Sequence, residues 1–206
     1  MQYLVANHTL NTQSENTTMT AAIETRNESA IQTWTLDASH SNVEFAVKHL
    51  MIANVKGRFA DVAGTITADA DDPANVGVDV TIGVSSIDTR QEQRDAHLRS
   101  PDFFDAGQWP AMQFTGKRTE GDTSGEFKLI GDLTIRDVTR EVTLEVRNEG
   151  STMDPWGNSR MGFSAKGKID RRDFGLTWNQ ALEAGGFVVG DEIKIAIDAE
   201  FTAQPQ

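Results

Sequence analysis

Apolar residues recur at every second position through most of this chain, and that period restricts the fold more than any other feature. Val43, Phe45, Val47 and His49 alternate with Asn42, Glu44, Ala46 and Lys48. Val76, Val78, Val80, Ile82 and Val84 alternate strictly with small or polar residues. So do Met161, Phe163, Ala165, Gly167 and Ile169, and finally Ile193, Ile195, Ile197, Ala199 and Phe201. Successive side chains of a strand point to opposite faces, so each run presents one apolar face. Shorter runs complete the set: Val55 to Phe59, Val62 to Ile66, Met112 with Phe114, Phe127 with Leu129, Leu133 with Ile135, and Val142 with Leu144 and Val146. Gly116 to Gly125 and Gly131-Asp132 read as breaks between the middle runs. Turn residues thus separate about eight strands with almost no helical pattern, which is an all-β chain, either sandwich or antiparallel barrel. A sandwich covers its apolar face with a second sheet. A barrel of about eight strands closes on itself and can hold one small ligand.

Parity assigns the interior to Phe45, Val47, Phe59, Val80, Ile82, Met112, Phe114, Leu133, Leu144, Phe163 and Ile195. With several glycines among them, these side chains can leave a bore too wide for them to fill, and anything held there is apolar. The chain of 206 residues suits one domain. From Met1 to Ile31 it is mostly Thr, Asn, Gln, Ser and Glu, with too little apolar surface to offset ordering entropy, so we expect a disordered polar tail over 1–31 and the barrel over 32–203. Met19 is an alternative start. No segment approaches the roughly 20 apolar residues of a membrane span, and the N-terminus has no apolar core for a signal peptide, so the expected location is the cytoplasm. A formal net charge of −12 argues against a nucleic-acid partner.

The chemistry is as restricted as the fold. There is no cysteine, which removes disulfides, thiolate catalysis and cysteine-ligated metals. A metal at His40 or His49 needs further ligands, and the remaining histidines are His8 in the tail and His97. We therefore expect no metal, with His40 as a turn-capping group and His49 as a wall residue. Neither G-x-S-x-G nor HExxH occurs, and no phosphate-binding or dinucleotide fingerprint is present. Arg171, Arg172 and Asp173 read as a turn-locking ion-pair cluster. Between Ser86 and Phe114 the pattern changes: Thr89 and Glu92 stand in capping-box spacing, so a short helix is expected to start there and stop before Pro101. Helical spacing puts Arg90, Arg94 and His97 near one face and Asp95 four residues from Arg99 as a supporting ion pair. Such a helix is either a solvated surface helix closing one end of the barrel, with Arg94 or Asp95 tied into a structural hydrogen-bond network, or a cationic collar for an anionic or polar headgroup, with Arg94 and His97 as the contacts.

The residues in these blocks resemble the YceI-like family of polyisoprenoid-binding, lipocalin-like barrel proteins. The resemblance spans Thr33 to Phe201. It rests on Trp34-Thr35-Leu36-Asp37-Ala38-Ser39-His40-Ser41, Val43 to His49, Val55-Lys56-Gly57-Arg58-Phe59, Ser86-Ile87-Asp88-Thr89, Arg94 to Ser100 and Asp102-Phe103-Phe104-Asp105. The later blocks are Gly131 to Ile135, Ile169 to Gly175 and Val189 to Ile193. Trp109-Pro110 departs from it, since the family often has tyrosine before that proline, and the family's usual secretory leader is missing, although a periplasmic location fits the resemblance. The resemblance implies an extended eight-stranded antiparallel barrel that holds a polyisoprenoid, an isoprenoid quinone or another long lipid without cofactor or catalysis. Family members are often homodimers. Two other readings are a stress-response interaction protein with a closed barrel and an enzyme acting on a bound lipid through His97, Asp95 or His49.

Overall fold

The computed structural model describes residues 31–69, 76–182 and 185–203; the polar tail expected over 1–31 lies, but for Ile31, outside them. The strands are β1 (Ile31–Leu36), β2 (Asn42–His49), β3 (Ala53–Phe59), β4 (Val62–Asp69), β5 (Val76–Gly83), β6 (Ile87–Asp88), β7 (Ala111–Gly121), β8 (Glu126–Ile135), β9 (Val138–Met153), β10 (Ser159–Asp170) and β11 (Val189–Ala203). One helix, α1 (Glu92–Arg99), follows β6.

Each strand pairs antiparallel with its neighbours in the order β1-β4-β5-β7-β8-β9-β10-β11, and β11 pairs back with β1 through Trp34↔Ala203, Thr35↔Thr202 and Leu36↔Phe201. The sheet is a closed eight-stranded barrel. The remaining strands are continuations of the ring. β11 pairs with β2 along Val189 to Asp198 and with β1 beyond it, so β1 and β2 form one bent wall strand interrupted by a 3₁₀ turn at Ala38–His40. In the same way β3 pairs with β2, and β4 with β1, on either side of Ala60-Asp61. The bend lets one sheet edge serve two partners, which a flat strand cannot do.

Parity holds along the ring. Val43, Phe59, Val62, Ile66, Val78, Ile82, Met112, Phe114, Leu133, Ile135, Leu144 and Val146 are buried and belong to one core. The expected break at Gly131-Asp132 is absent: β8 runs unbroken, pairing with β7 and β9 on its two sides. Glycine there keeps the alternation because Phe127, Leu129, Gly131, Leu133 and Ile135 share one parity. Most of Gly116 to Gly125 is strand as well, with a register shift between Gly116 and Arg118.

One ionic cluster joins three elements at the seam. Arg160 on β10 donates to Asp37 Oδ2 at 2.8 Å, to Asp154 Oδ2 at 2.9 Å and to Glu200 Oε1. It thereby ties the turn after β1 and the β9–β10 hairpin to β11. Hydrogen bonds from Ser39, Arg160 and His40 hold the Asp37 carboxyl well below the usual carboxylate range. Desolvation pulls the Asp154 carboxyl upward, but the donors Arg160 and Asn158 prevail and hold it low too. Groups held low in the folded state contribute stability above about pH 4, and lose it as pH falls through their folded values. Arg160→Met is therefore expected to melt a few degrees below the parent at pH 7, and the gap is expected to narrow below about pH 4. A gap of constant size across thermal melts from pH 3 to pH 7 would contradict this role for the cluster.

Candidate functional site

The barrel encloses an elongated cavity of about 410 Å³. All eleven interior residues assigned by parity line it: Phe45 and Val47 from β2, Phe59 from β3, Val80 and Ile82 from β5, Met112 and Phe114 from β7, Leu133 from β8, Leu144 from β9, Phe163 from β10 and Ile195 from β11. One end is lined by Leu98, Phe103, Phe104, Arg171 and Leu176, the other by Ala68, Val76, Thr119, Thr123, Phe127 and Asn148. The wall between them is almost wholly apolar. A second depression, on the outer wall over β7 to β10, is lined by charged side chains such as Glu126 and Arg147, which pair with each other at 2.5 Å, and lies open to solvent.

The bore's shape depends on where inward positions lack a side chain. The Phe45 ring lies over Gly57, the Phe114 ring over Gly131, and the Leu144 side chain over Gly167. These glycines keep the bore open indirectly, not as gaps of their own but by seating large neighbours flat against the wall. Phe45, Phe59 and Phe104 then pack in series, with ring centroids 5.7 and 5.9 Å apart.

The collar is built differently from its expected form. Helix α1 starts at Glu92 with Gln91 as its cap, whose side chain accepts from the Arg94 N–H. Thr89 makes no capping box. Its N–H and hydroxyl donate to the buried Asp95 carboxylate, at 2.9 and 2.5 Å. Arg90 precedes the helix, at φ 62°, and does not share a helical face with Arg94. Arg99 does not pair with Asp95 but donates to the Ser85 and Ile87 carbonyls, at 2.9 and 2.7 Å, and so clamps the helix onto β6.

Arg94 and His97 do not line the cavity. Arg94 donates to the Thr89 hydroxyl and carbonyl, both at 2.7 Å. His97 Nε2 lies 2.8 Å from Asp102 Oδ2, and its ring stands edge-on to Phe103 and Trp178. Both side chains build the collar. Trp109, the departure before Pro110, takes the Arg136 guanidinium over its ring at 4.9 Å.

Parity missed the collar's apolar residues, Leu98, Phe103 and Phe104, and the cavity-lining Arg171, because none of them is on a strand. Arg171 is buried, and desolvation pulls its pKa down against the pull of Asp191. Its guanidinium donates to the Gly190, Leu176 and Trp178 carbonyls and to Asp191 at 3.0 Å, which joins the 3₁₀ turn Arg171–Phe174 to the start of β11. Arg172 pairs with Asp170, drawing that carboxyl down to about 2, and with Asp191. This is the turn-locking cluster the sequence suggested, with Asp170 and Asp191 as its acids in place of Asp173. His40 caps its turn as expected, with Nδ1 2.9 Å from Asp37. Asp37, His40 and Glu200 would put three ligand atoms within 4.8 Å of one another, but Arg160 hydrogen-bonds both carboxylates and already supplies the positive charge a metal ion would bring.

The YceI-like domain family matches residues 34–201. A UPF0312 protein of Staphylococcus aureus strain MSSA476 is 38% identical over 170 residues, which is 82% of this chain and 96% of that protein. The crystal structure of the Campylobacter jejuni YceI protein superposes with a TM-score of 0.65 at 35% identity, covering 77% of this chain and 90% of that one. A polyisoprenoid binding domain from Saccharophagus degradans, implicated in plant cell wall breakdown, shares the fold at 14% identity, with a TM-score of 0.59 and coverage of 83% and 98%. Among the described residues no helix is long and apolar enough to cross a membrane.

Seating of the Phe114 ring gives a direct test of the cavity wall. A Cβ at residue 131 would stand 2.5 Å from the Thr115 carbonyl oxygen and 2.6 Å from the Phe114 ring. Gly131→Ala is expected to destabilise the fold by about 1–3 kcal/mol in urea denaturation. Gly162→Ala, whose Cβ would meet nothing closer than 3.6 Å, is the matched control and is expected to cost far less.

Proposed function

Because this chain belongs to the YceI-like family, we propose that it holds a long apolar lipid of the polyisoprenoid or isoprenoid-quinone type along its barrel axis, as a carrier or sequestering protein without catalysis. The observation that carries this reading is the continuous apolar bore, from the Phe103–Leu176 end to the Thr119–Asn148 end, together with the polyisoprenoid-binding neighbour of the same fold. An elongated apolar tube fits a chain better than a compact ring. Burial of each methylene is worth roughly 0.8 kcal/mol, so a five-carbon unit contributes about 4 kcal/mol before the costs of association. Such a tube discriminates weakly between chains of similar length, at about 1–3 kcal/mol per methylene.

The two other readings have less support. A barrel packed shut, serving only as an interaction protein, would fill its axis with side chains, and this one leaves about 410 Å³ there. An enzyme would need an acid and a base facing the bore. Asp95 is occupied by Thr89, His97 by Asp102 outside the cavity, and His49 is not among the residues that line it.

Native mass spectrometry of the freshly purified protein, followed by organic extraction, tests the carrier reading. The expected result is one chemically intact long-chain isoprenoid or quinone per barrel. Ala199, on the wall, offers the matching variant: Ala199→Trp fills the bore and is expected to leave a folded protein that retains at least tenfold less lipid. Equal lipid retention by the parent and this variant would refute an axial ligand.

A further inference from the structure

The hairpin between β2 and β3 breaks two local rules at one place. Leu50 and Met51 have φ of 50° and 62°, and Ile52 N–H donates to the His49 carbonyl, which closes a turn with both central residues in the left-handed region. Asn-Gly or Asp-Gly ordinarily occupies such a turn because other residues are strained there. Here the positions carry large aliphatics that also point into solvent. Met51 is 60% and Ile52 82% exposed, and Phe187 nearby adds another exposed ring at 54%. The neighbouring segment joins this tip, since Leu50 N–H donates to the Val188 carbonyl. Strain and exposed apolar surface together at one tip point to function rather than stability.

The charge beside the tip identifies what it meets. The chain has seven lysines, and five of them, Lys48, Lys56, Lys166, Lys168 and Lys194, lie exposed on the outward face of β10, β11, β2 and β3. Lys168 pairs across to Lys194, Lys194 to Ala46 and Ala46 to Lys56, so three lysines lie in one row across four strands. Lys48 lies on that face two residues from Leu50. Lys168 is bridged to Glu192, while among the described residues Lys48, Lys56 and Lys194 form no ion pair. The acids among these lysines are Glu44 and Glu192, so the strip is net positive in a protein of net charge −12, and Lys48 extends it toward the apolar tip. The barrel's other end also exposes apolar residues, Met153 and Trp156, but the acids Glu120, Asp122, Glu126 and Glu149 lie on its β7–β8 hairpin and on β9, with Glu120 and Glu126 paired to Arg118 and Arg147.

We propose that the Leu50–Ile52 tip and Phe187 insert into the interface of an anionic membrane while the lysine strip lies against its headgroups. An apolar tip beside cations is the combination that binds such surfaces, since burial and headgroup attraction add. The placement also suits the barrel, because Val47 and Val189, which line the cavity, lie beside the tip, and Val189 pairs with His49. The wall of the bore thus ends beside the tip, with His49 between Val47 and Leu50. The docking holds whatever the cavity contains, so its test does not depend on the proposed ligand.

Co-sedimentation of the full chain with vesicles tests it. Binding is expected to vesicles of phosphatidylcholine with phosphatidylglycerol, to weaken as salt rises, and to be at least tenfold lower on phosphatidylcholine alone. The double variants Met51→Asp/Ile52→Asp and Lys56→Glu/Lys194→Glu each change exposed side chains and are expected to keep the parent's melting temperature and lose at least tenfold in binding. Trp156→Ser, at the acidic end, is expected to bind as the parent does. Parent protein that ignores anionic vesicles, or a tip variant that binds them undiminished, would overturn the proposal. So would a dimer in analytical ultracentrifugation that the tip variant dissociates without any vesicle binding, which would make the tip an interface between copies of this chain.

Discussion

Closure of the sheet is the constraint on which the other features depend. A sheet that ends leaves a row of unpaired N–H and C=O groups, and this one closes its eight-stranded ring by returning β11 to β1, so that among the described residues only the β2–β3–β6 extension ends in an edge. To do so β11 must serve two partners in succession, β2 along most of its length and β1 at its end. The chain meets that demand with a 3₁₀ turn at Ala38–His40, and Arg160 holds the junction by binding carboxylates from three separate segments. A backbone ladder and an ionic cluster thus meet at the same seam.

Closure also fixes what the inner face can do. Eight strands give an interior close to the limit that side chains can fill. Phe45 and Phe114 lie flat over Gly57 and Gly131 and cover the wall without reaching across the axis. The bore therefore arises from pairing large rings with missing side chains on neighbouring strands. The ends are built by other means: aromatic packing and the clamped helix α1 on one side, the buried guanidinium of Arg171 beside them, and a few neutral polar groups at the far side.

The strands and the lining were legible in the sequence because parity is set by the backbone and survives any topology. Every residue assigned inward by parity lines the cavity, and alternation continues through Gly131, where a glycine was misread as a break. Composition cannot distinguish a glycine that turns the chain from one that seats a neighbouring ring, since the distinction lies in a residue on another strand. The collar was less legible for the same reason. Thr89 and Glu92 have capping-box spacing, but a buried Asp95 six residues on competes for the threonine and wins, leaving Gln91 as the cap. Arg94 and His97 looked free for a ligand because their partners, Thr89, Asp102 and Trp178, come together only in the folded collar. The Arg160 cluster was invisible for the same reason, with Asp37 and Glu200 near opposite ends of the barrel sequence.

The unfilled axis has a volumetric consequence. Space lined by Leu, Ile, Val and Phe offers water few hydrogen-bond partners, so it contributes void to the folded state that unfolding abolishes. Hydrostatic pressure favours whichever state has less void, and the folded barrel is on the losing side of that balance unless a hydrocarbon chain fills it. A ligand of the bore would therefore act as part of the core in the mechanical sense, making the protein less compressible as well as more stable. Pressure resistance thereby becomes a measure of axial occupancy that needs no knowledge of the ligand's headgroup.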